Sequence, residues 1–204
     1  MGIVDTVLLD LTLLEKVKKI INFGHVYAAG SMTKFTGEQI FSDIPKIHNN
    51  DLNKNDIESS YLGLNEDIYL LSTDLIGSVS CKSYLILKES EALKLVDVIQ
   101  KNVGLSGLPK EEILKELDNI LAAGVTTCMS NQMNCNVYGG VPVLRKVSGE
   151  ELYATIAEDV SSLDFDLEDF DFFVTSKTKF LFTSLGIKPE FLWVMPDEFI
   201  MEIK

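Results

Sequence analysis

Cysteine, histidine and basic residues are scarce in this sequence. Its 204 residues include three Cys and two His, and 18 Lys+Arg stand against 31 Asp+Glu, which gives a net charge of −13. Cys81, Cys128 and Cys135 form no CxxC pair, and their odd number argues against a disulfide framework. His25 and His48 lack a Cys or acidic partner at the spacing of a zinc site. We therefore expect no metal or cofactor bound by this chain itself.

Long apolar segments and nucleotide-binding motifs are also missing. Asp10 interrupts the apolar stretch from Val7 to Leu14, and no run reaches 18 apolar residues, so we expect no membrane insertion. The same stretch has neither a basic segment before it nor a small-residue cleavage site after it, and we predict a cytoplasmic protein. The acidic charge disfavours nucleic acid as a partner. The lack of GxGxxG, GxxxxGKS/T and GxSxG disfavours nucleotide binding and serine hydrolysis.

An internal repeat emerges when the sequence is aligned with itself at an offset of 97 residues. Asn22 then aligns with Asn119, and Pro45 aligns with Pro142. The repeat predicts one domain, 1–204, made of two pseudo-symmetric halves at about 1–107 and 108–204. Residue types also match at further pairs, which are Val17 with Leu114, Ile20 with Leu117, Met32 with Met129, Thr33 with Ser130, Ile40 with Val137, Phe41 with Tyr138 and Ile44 with Val141.

Each half begins with a helical pattern and continues with strand-like runs. In the second half we expect the helix to begin near Leu108, with Pro109 in its first turn and small residues from 122 to 127 admitting a neighbouring helix. The order α–β–β–β–α in each half, with the last helix weak in the second, predicts an α/β or α+β fold with one sheet covered by helices. The strand-like runs are Ile68–Thr73, Gly77–Leu87, Phe172–Thr175, Lys179–Thr183 and Phe191–Met195.

Two segments are predicted to be loops, His48–Ser60 and Ser148–Asp171, and a short helix is possible within the second at 150–159. The acidic series from Asp164 to Asp171 lacks the glycine turn and the final Glu of an EF-hand. A solvated acidic edge is therefore favoured over a calcium loop.

Glu112, Glu116 and Asn119 lie at positions i, i+4 and i+7 of the second-half helix, and Ala123 follows them in the same stripe. Helical geometry places all four on one face, opposite much of the apolar stripe, so the face should be exposed. A carboxylate can pair with a partner lysine, and a carboxamide can position a water molecule. Taken alone, the pattern is more typical of an ordinary polar helix face than of a functional site.

The longer spacing Glu116-x2-Asn119-x22-Pro142, in a repeated unit, resembles the signature of the CheC, CheX and FliY chemotaxis phosphatases. The surrounding KELDNIL resembles the REIGNIL of that family, and the segment LSTDLIGSVSCKSYLIL resembles its central strand pair. Glu112 stands where the family has Asp or Ser. The resemblance covers nearly the whole chain, and the two copies make CheC the most similar type. It implies a pseudo-twofold fold with two long equivalent helices on one face of the sheet.

The resemblance implies hydrolysis of the aspartyl phosphate on a phosphorylated CheY-like response regulator. Glu116 and Asn119 would be the catalytic pair, and Glu112 and Ala123 would bind the partner, whose own active site would supply Mg²⁺. The first copy reads Glu15, Lys19, Asn22 and Pro45, with Lys19 where the signature has Glu. Because Lys19 would repel the partner lysine, we expect this copy to be a degenerate second site.

Two other functions remain open from sequence alone. The chain could be a non-catalytic CheC-like adaptor that binds a response regulator, a CheD-like deamidase or the flagellar switch. It could also be a generic small-molecule enzyme, although the sequence shows no His, Cys or carboxylate cluster for that purpose.

Overall fold

The structure is a computed structural model that describes residues 11–49, 52, 54, 57, 59–78, 80–104, 107–134, 136–161 and 173–196. Its helices are α1 (Leu11–Thr36), α2 (Glu89–Val103), α3 (Lys110–Met133) and α4 (Leu152–Ser161). Its strands are β1 (Ile40–Ser42), β2 (Lys46–Asn49), β3 (Ile68–Gly77), β4 (Cys81–Lys88), β5 (Val137–Gly139), β6 (Val143–Val147), β7 (Phe173–Phe182) and β8 (Glu190–Pro196).

The eight strands form one antiparallel sheet whose path is β1-β7-β8-β4-β3-β5, with β2 also on β7 and β6 also on β3. An axis between β4 and β8 therefore relates the two halves. The short strands of each half pair with a long strand of the other half: β1 and β2 pair with β7, whereas β5 and β6 pair with β3. The predicted pseudo-twofold fold is confirmed, and its halves interlock through the sheet.

The two long helices lie side by side on one face of this sheet. They approach closely because α3 has a glycine at the crossing: a Cβ atom on Gly124 would come within 2.8 Å of the Ala28 Cα in α1. The main apolar core lies between these helices and the sheet and includes Leu117, Phe191 and Trp193. The expected close approach at the small residues of α3 is confirmed.

A second apolar cluster lies on the other face of the sheet. It contains side chains from β3, β4 and β8, which α4 covers with Leu152 and Ile156. The sheet is thus buried on both faces, as its runs of consecutive buried residues in β3, β4 and β8 require.

Three local expectations differ from the structure. The helix expected near Leu108 begins at Lys110, because Pro109 adopts an extended conformation as its N-cap. The two runs predicted at Phe172–Thr175 and Lys179–Thr183 are not separate strands: their described residues from Phe173 to Phe182 form one strand, β7, whose polar centre is buried by sheet pairing. Neither half has the predicted order α–β–β–β–α: the first half is α–β–β–β–β–α, because β2 is an additional strand, and the second half is α–β–β–α–β–β, because α4 precedes its last two strands.

The predicted loop His48–Ser60 begins within a strand, because His48 and Asn49 belong to β2. A short helix does occupy most of 150–159, whereas the acidic series Asp164–Asp171 lies outside the described residues, as does Cys135. Within the described residues, no helix combines the length and apolar character that a membrane span requires.

Candidate functional site

An open groove lies between the exposed face of α3 and the chain that follows β5. Its walls are Glu112, Lys115, Glu116 and Asn119 on the helix side and residues 139–142 on the other. The spacing from Asn119 to Pro142 therefore corresponds to one surface feature. The two residues lie 23 positions apart along the chain and line the same groove.

The helix side of the groove is polar and open to solvent. Glu112, Glu116, Asn119 and Ala123 are all exposed, as the helical spacing predicted. The Lys115 Nζ atom lies 3.0 Å from the Glu112 Oε1 atom, so this exposed pair is partly neutralised and adds little to stability. The Glu116 carboxylate and the Asn119 carboxamide lie one turn apart with open space in front of them.

Backbone contacts hold the opposite wall against β3. The Gly140 amide donates to the Asp74 carbonyl at 2.7 Å, and a Cβ atom at Gly140 would lie 3.1 Å from that same oxygen. Glycine is therefore favoured where this loop turns beside the strand. Val141 next to it is 85% exposed, whereas Pro142 is buried.

Asp118 is a buried carboxylate directly behind the groove, and the sequence reasoning missed it. Its Oδ2 atom accepts a 2.7 Å hydrogen bond from the Thr73 hydroxyl, and its Oδ1 atom has no partner among the described residues. Burial raises the pKa of Asp118 to about 7, although the Thr73 hydrogen bond opposes the shift. Its place one turn after Leu114, within the apolar stripe of α3, was the signal that could have revealed its burial.

The corresponding surface of the first half is different in character. Glu15 and Lys19 are exposed on α1, and Asn22 is half-buried. Beside them, Phe23 and Tyr27 are 60% and 55% exposed. The structure thus brings Glu15, Lys19 and Asn22 onto one helix, but their neighbourhood is apolar and basic where the second half is polar and acidic.

Metal ligands are not gathered in the part of the chain that is described, because no group of three His, Cys, Asp or Glu side chains there could hold an ion. Burial lowers the pKa of His25 to about 3, so this histidine is neutral in the core between the Phe180 and Phe191 rings. Cys81 is buried and Cys128 is half-buried.

Comparison with known proteins identifies the fold class. FliY from Thermotoga maritima superposes with a TM-score of 0.66 at 13% identity, covering 96% of this chain and 96% of that chain. The chemotaxis protein CheX from Desulfovibrio desulfuricans gives a TM-score of 0.56 at 10% identity, covering 87% and 99%. FliM from H. pylori, solved in complex with FliG, gives 0.56 at 8% identity, covering 94% and 98%.

No family model matches the sequence, and a search of curated proteins finds no match. At these identities the structural likeness establishes the fold alone. The chain has the CheC-like fold that FliY, CheX and FliM share, and the resemblance stated from its sequence is confirmed at that level. Roles for Glu112, Glu116, Asn119 and Ala123 stay predictions.

Proposed function

We propose that this protein is a phosphatase of a phosphorylated CheY-like response regulator and ends a chemotaxis signal in the cytoplasm. The observation that carries the proposal is the groove itself. Glu116 and Asn119 stand exposed on α3 and face the Pro142 loop across open space. A helix that presents a carboxylate and a carboxamide in this way can enter the active site of a partner protein.

The reaction is an in-line hydrolysis in which a water oxygen attacks phosphorus and the bond from phosphorus to the aspartyl oxygen breaks. The Asn119 carboxamide both donates and accepts hydrogen bonds, so it can hold that water in line. The Glu116 carboxylate pairs with a lysine of the regulator and fixes the docking angle. Mg²⁺ and the phosphorylated aspartate belong to the regulator, which leaves positioning as the contribution of this chain.

The surroundings of the pair suit such docking. Ala123 continues the exposed face with a small side chain, so a partner can approach the helix closely at this end. Glu112 lies at the other end and is ion-paired with Lys115. Among the described residues that line the groove, this leaves Glu116 as the carboxylate without an ion pair. A basic residue on the partner is the natural complement.

The test is the dephosphorylation rate of a Mg²⁺-loaded, phosphorylated CheY-type regulator. Wild-type protein should accelerate it, and Asn119→Ala should lose about 100-fold of that acceleration, because a positioned hydrogen-bonding group is worth about this much in comparable reactions. Asn22→Ala is the matched control, since it removes the equivalent residue of the first half and should change nothing. Equal rates for wild type and Asn119→Ala would refute the assignment.

A second arm separates docking from chemistry. Glu116→Ala should raise the concentration of regulator needed for half-maximal rate, because it removes the charge that pairs with the partner lysine. Asn119→Ala should instead lower the maximal rate and leave binding intact. A Glu116→Ala variant with unchanged half-maximal concentration would contradict the docking role.

The alternative is a non-catalytic adaptor that binds a response regulator, a CheD-like deamidase or the flagellar switch. The exposed apolar surface of α1 at Phe23, Val26 and Tyr27 favours it, because such a surface is typical of protein contacts. The structural likeness to FliM solved with FliG fits the same idea. Binding of a regulator without any gain in its dephosphorylation would favour the adaptor.

A further inference from the structure

Thr73 of β3 lies between the two walls of the groove that α3 forms with residues 139–142. Its hydroxyl donates to the Asp118 Oδ2 atom on the helix side at 2.7 Å, and its Cγ2 methyl would lie 3.9 Å from a Cβ atom on Gly139. The carbonyl of the next residue, Asp74, accepts the Gly140 amide at 2.7 Å. Two consecutive residues of one strand therefore hold both walls, the helix through a side chain and the loop through its backbone.

The hydrogen bond from Thr73 reaches the turn of α3 that carries the proposed catalytic pair. Asp118 is fully buried, and its neighbour Asn119 is exposed on the groove side of the same helix. Glu116 lies two residues before Asp118. Because the backbone of one helical turn moves as a unit, the position of Asp118 against the sheet fixes where both groove side chains stand. Groups that position a reaction need such support to within about 0.5 Å.

The first half uses the equivalent threonine differently. Thr178 of β7 is the counterpart of Thr73, because each directly precedes the strand residue whose carbonyl holds the loop of the opposite half. The Thr178 hydroxyl donates to the Asp43 carbonyl in that loop at 3.4 Å, whereas the Thr73 hydroxyl donates to the helix. Ile21, which stands where α3 has Asp118, provides no acceptor. The scaffold thus folds with an apolar residue at this position, and packing alone does not call for the carboxyl.

The Asp118 carboxyl changes charge near neutral pH. Burial raises its pKa to about 7, and none of the charged side chains that the structure describes is among the causes of that shift. The charged groups on the elements that pack against α3 are exposed or engaged elsewhere. They include exposed Lys34 on α1, exposed Asp97 and Lys101 on α2, Asp74 on β3 and Arg145 on β6 in ion pairs, and Lys146 on β6 over the Tyr69 ring. An ionised Asp118 therefore has the Thr73 hydroxyl as its polar partner and no countercharge beside it.

We propose that protonated Asp118 is the positioning residue of the groove, and that its ionisation releases the turn carrying Glu116 and Asn119 from Thr73. The neutral carboxyl is accommodated by burial and one hydrogen bond. The charged carboxylate gains by moving its Oδ1 atom, which has no partner among the described residues, toward the solvent of the groove.

The inference rests on the proposed phosphatase function for its effect on rate. Hydrolysis should slow as pH rises through neutrality, because the released Asn119 no longer holds the water in line, and a misplacement of about 1 Å is enough to slow a positioned reaction strongly. The movement of the groove walls does not depend on that function and can be measured without a regulator.

The first test measures the groove with spin labels on Glu116→Cys and Val141→Cys, in a full chain whose own cysteines are replaced by alanine. The label-to-label distance should change by about 1 Å or more, or broaden, between pH 5.5 and pH 8.5, with a midpoint near pH 7. Labels on Lys19→Cys and Ile44→Cys occupy the equivalent positions of the first half. They should show no change, because that half has Ile21 in place of the carboxyl.

Two further substitutions in the labelled chain test the hydrogen bond itself. Asp118→Asn can still accept from Thr73 but cannot ionise, so the distance should keep its low-pH value throughout. Thr73→Val keeps the side-chain shape and removes the donor, so the distance should already be altered at pH 5.5. The unfolding temperature of each variant checks that it folds.

Three outcomes of this first test would overturn the proposal. They are a distance across the α3 groove that does not change with pH, an equal change across the first-half pair, and an unaltered low-pH distance in Thr73→Val. The second outcome would mean that pH acts on the whole molecule and not through Asp118.

The second test measures the consequence for hydrolysis. The maximal rate of regulator dephosphorylation by wild type, divided by that of Asp118→Asn, should fall about tenfold from pH 6 to pH 8, because the protonated fraction of Asp118 falls by that factor. The pH dependence of the regulator itself cancels in this ratio. A groove that moves with pH in a chain without phosphatase activity would refute the proposed function alone. Hydrolysis with a constant ratio and an unmoving groove would refute the role of Asp118 alone.

Discussion

The loop before each signature proline is held by the same hydrogen bond in both halves. In the second half the Gly140 amide donates to the Asp74 carbonyl at 2.7 Å, and in the first half the Asp43 amide donates to the Lys179 carbonyl at 2.9 Å. Pro142 and Pro45 are both buried beside these bonds. The interlocked sheet therefore keeps the backbone of the two sites alike, because each loop is tied to a strand of the other half.

The side chains on that common backbone have diverged. Where α3 presents Glu116 and Ala123, the equivalent positions of α1 carry Lys19 and Val26. One buried position differs in polarity as well: Asp118, behind the second-half groove, corresponds to the fully buried Ile21 of α1. Backbone contacts preserve the scaffold, whereas the solvent-facing surface is free to change in charge and size.

The largest expected effect concerns Asp118, the polar residue that only the second half buries. Its pKa is about 7 in the folded protein and near 3.8 when unfolded, so the folded state binds a proton between these values. Stability from this group is complete below pH 4 and is lost as pH rises to 7. Asp118→Asn should remove a pH dependence on the order of 4 kcal/mol.

Urea unfolding of wild type and Asp118→Asn at pH 4 and pH 8 measures this effect. The variant amide can still accept from Thr73, so its stability relative to wild type should rise between the two values. The other acidic groups are common to both proteins and cancel in the comparison. The same stability difference at both pH values would mean that the Asp118 carboxyl titrates alike in the folded and unfolded protein.

The next effect concerns the helix crossing that the two halves share. Gly124→Ala should destabilise the protein by roughly 1–3 kcal/mol, because the new methyl would lie 2.8 Å from the Ala28 Cα. Gly30→Ala is the matched control in α1, where a Cβ meets nothing within 4 Å. It should stabilise by up to about 1 kcal/mol through helix propensity. Urea unfolding of both variants would show whether the steric cost at the helix crossing outweighs the gain in helix propensity.

A Gly124→Ala variant as stable as Gly30→Ala would mean that α1 and α3 can move apart without cost. The pseudo-symmetric packing would then be looser than the close approach at Ala28 implies.

The polar face of α3 could be predicted because it depends on local periodicity, whereas the pseudo-twofold fold followed from the internal repeat and from what the resemblance to the CheC, CheX and FliY signature implies. The helical spacing of Glu112, Glu116 and Asn119 fixes their common face whatever the tertiary structure. The continuity of β7 could not be predicted, because Ser176 and Thr178 become buried only when β2 and β8 pair beside them. The two ion pairs of Glu190 could not be predicted either, because only the register of β7 against β8 brings Lys177 and Lys179 to that carboxylate.

The smallest expected effect is a gain of activity in the first half. In an Asn119→Ala background, Lys19→Glu should raise the dephosphorylation rate only a few-fold, since it replaces a repulsive charge with an attractive one beside Asn22. Lys16→Glu makes the same charge change at another exposed position of α1 and should give no gain. The dephosphorylation rates of Asn119→Ala alone, with Lys19→Glu and with Lys16→Glu together separate the effect of a charge beside Asn22 from the effect of net charge.

The gain should stay small because charge is only one of the differences between the halves. Phe23, Val26 and Tyr27 give α1 a bulky apolar surface where α3 is small at Ala123, so a partner shaped for α3 meets steric conflict on α1. Adding Val26→Ala to Lys19→Glu should therefore increase the rate further. If the double substitution matches Lys19→Glu alone, side-chain bulk at Val26 does not limit docking, and the half-buried setting of Asn22 and the exposed rings of Phe23 and Tyr27 remain as differences between the two sites.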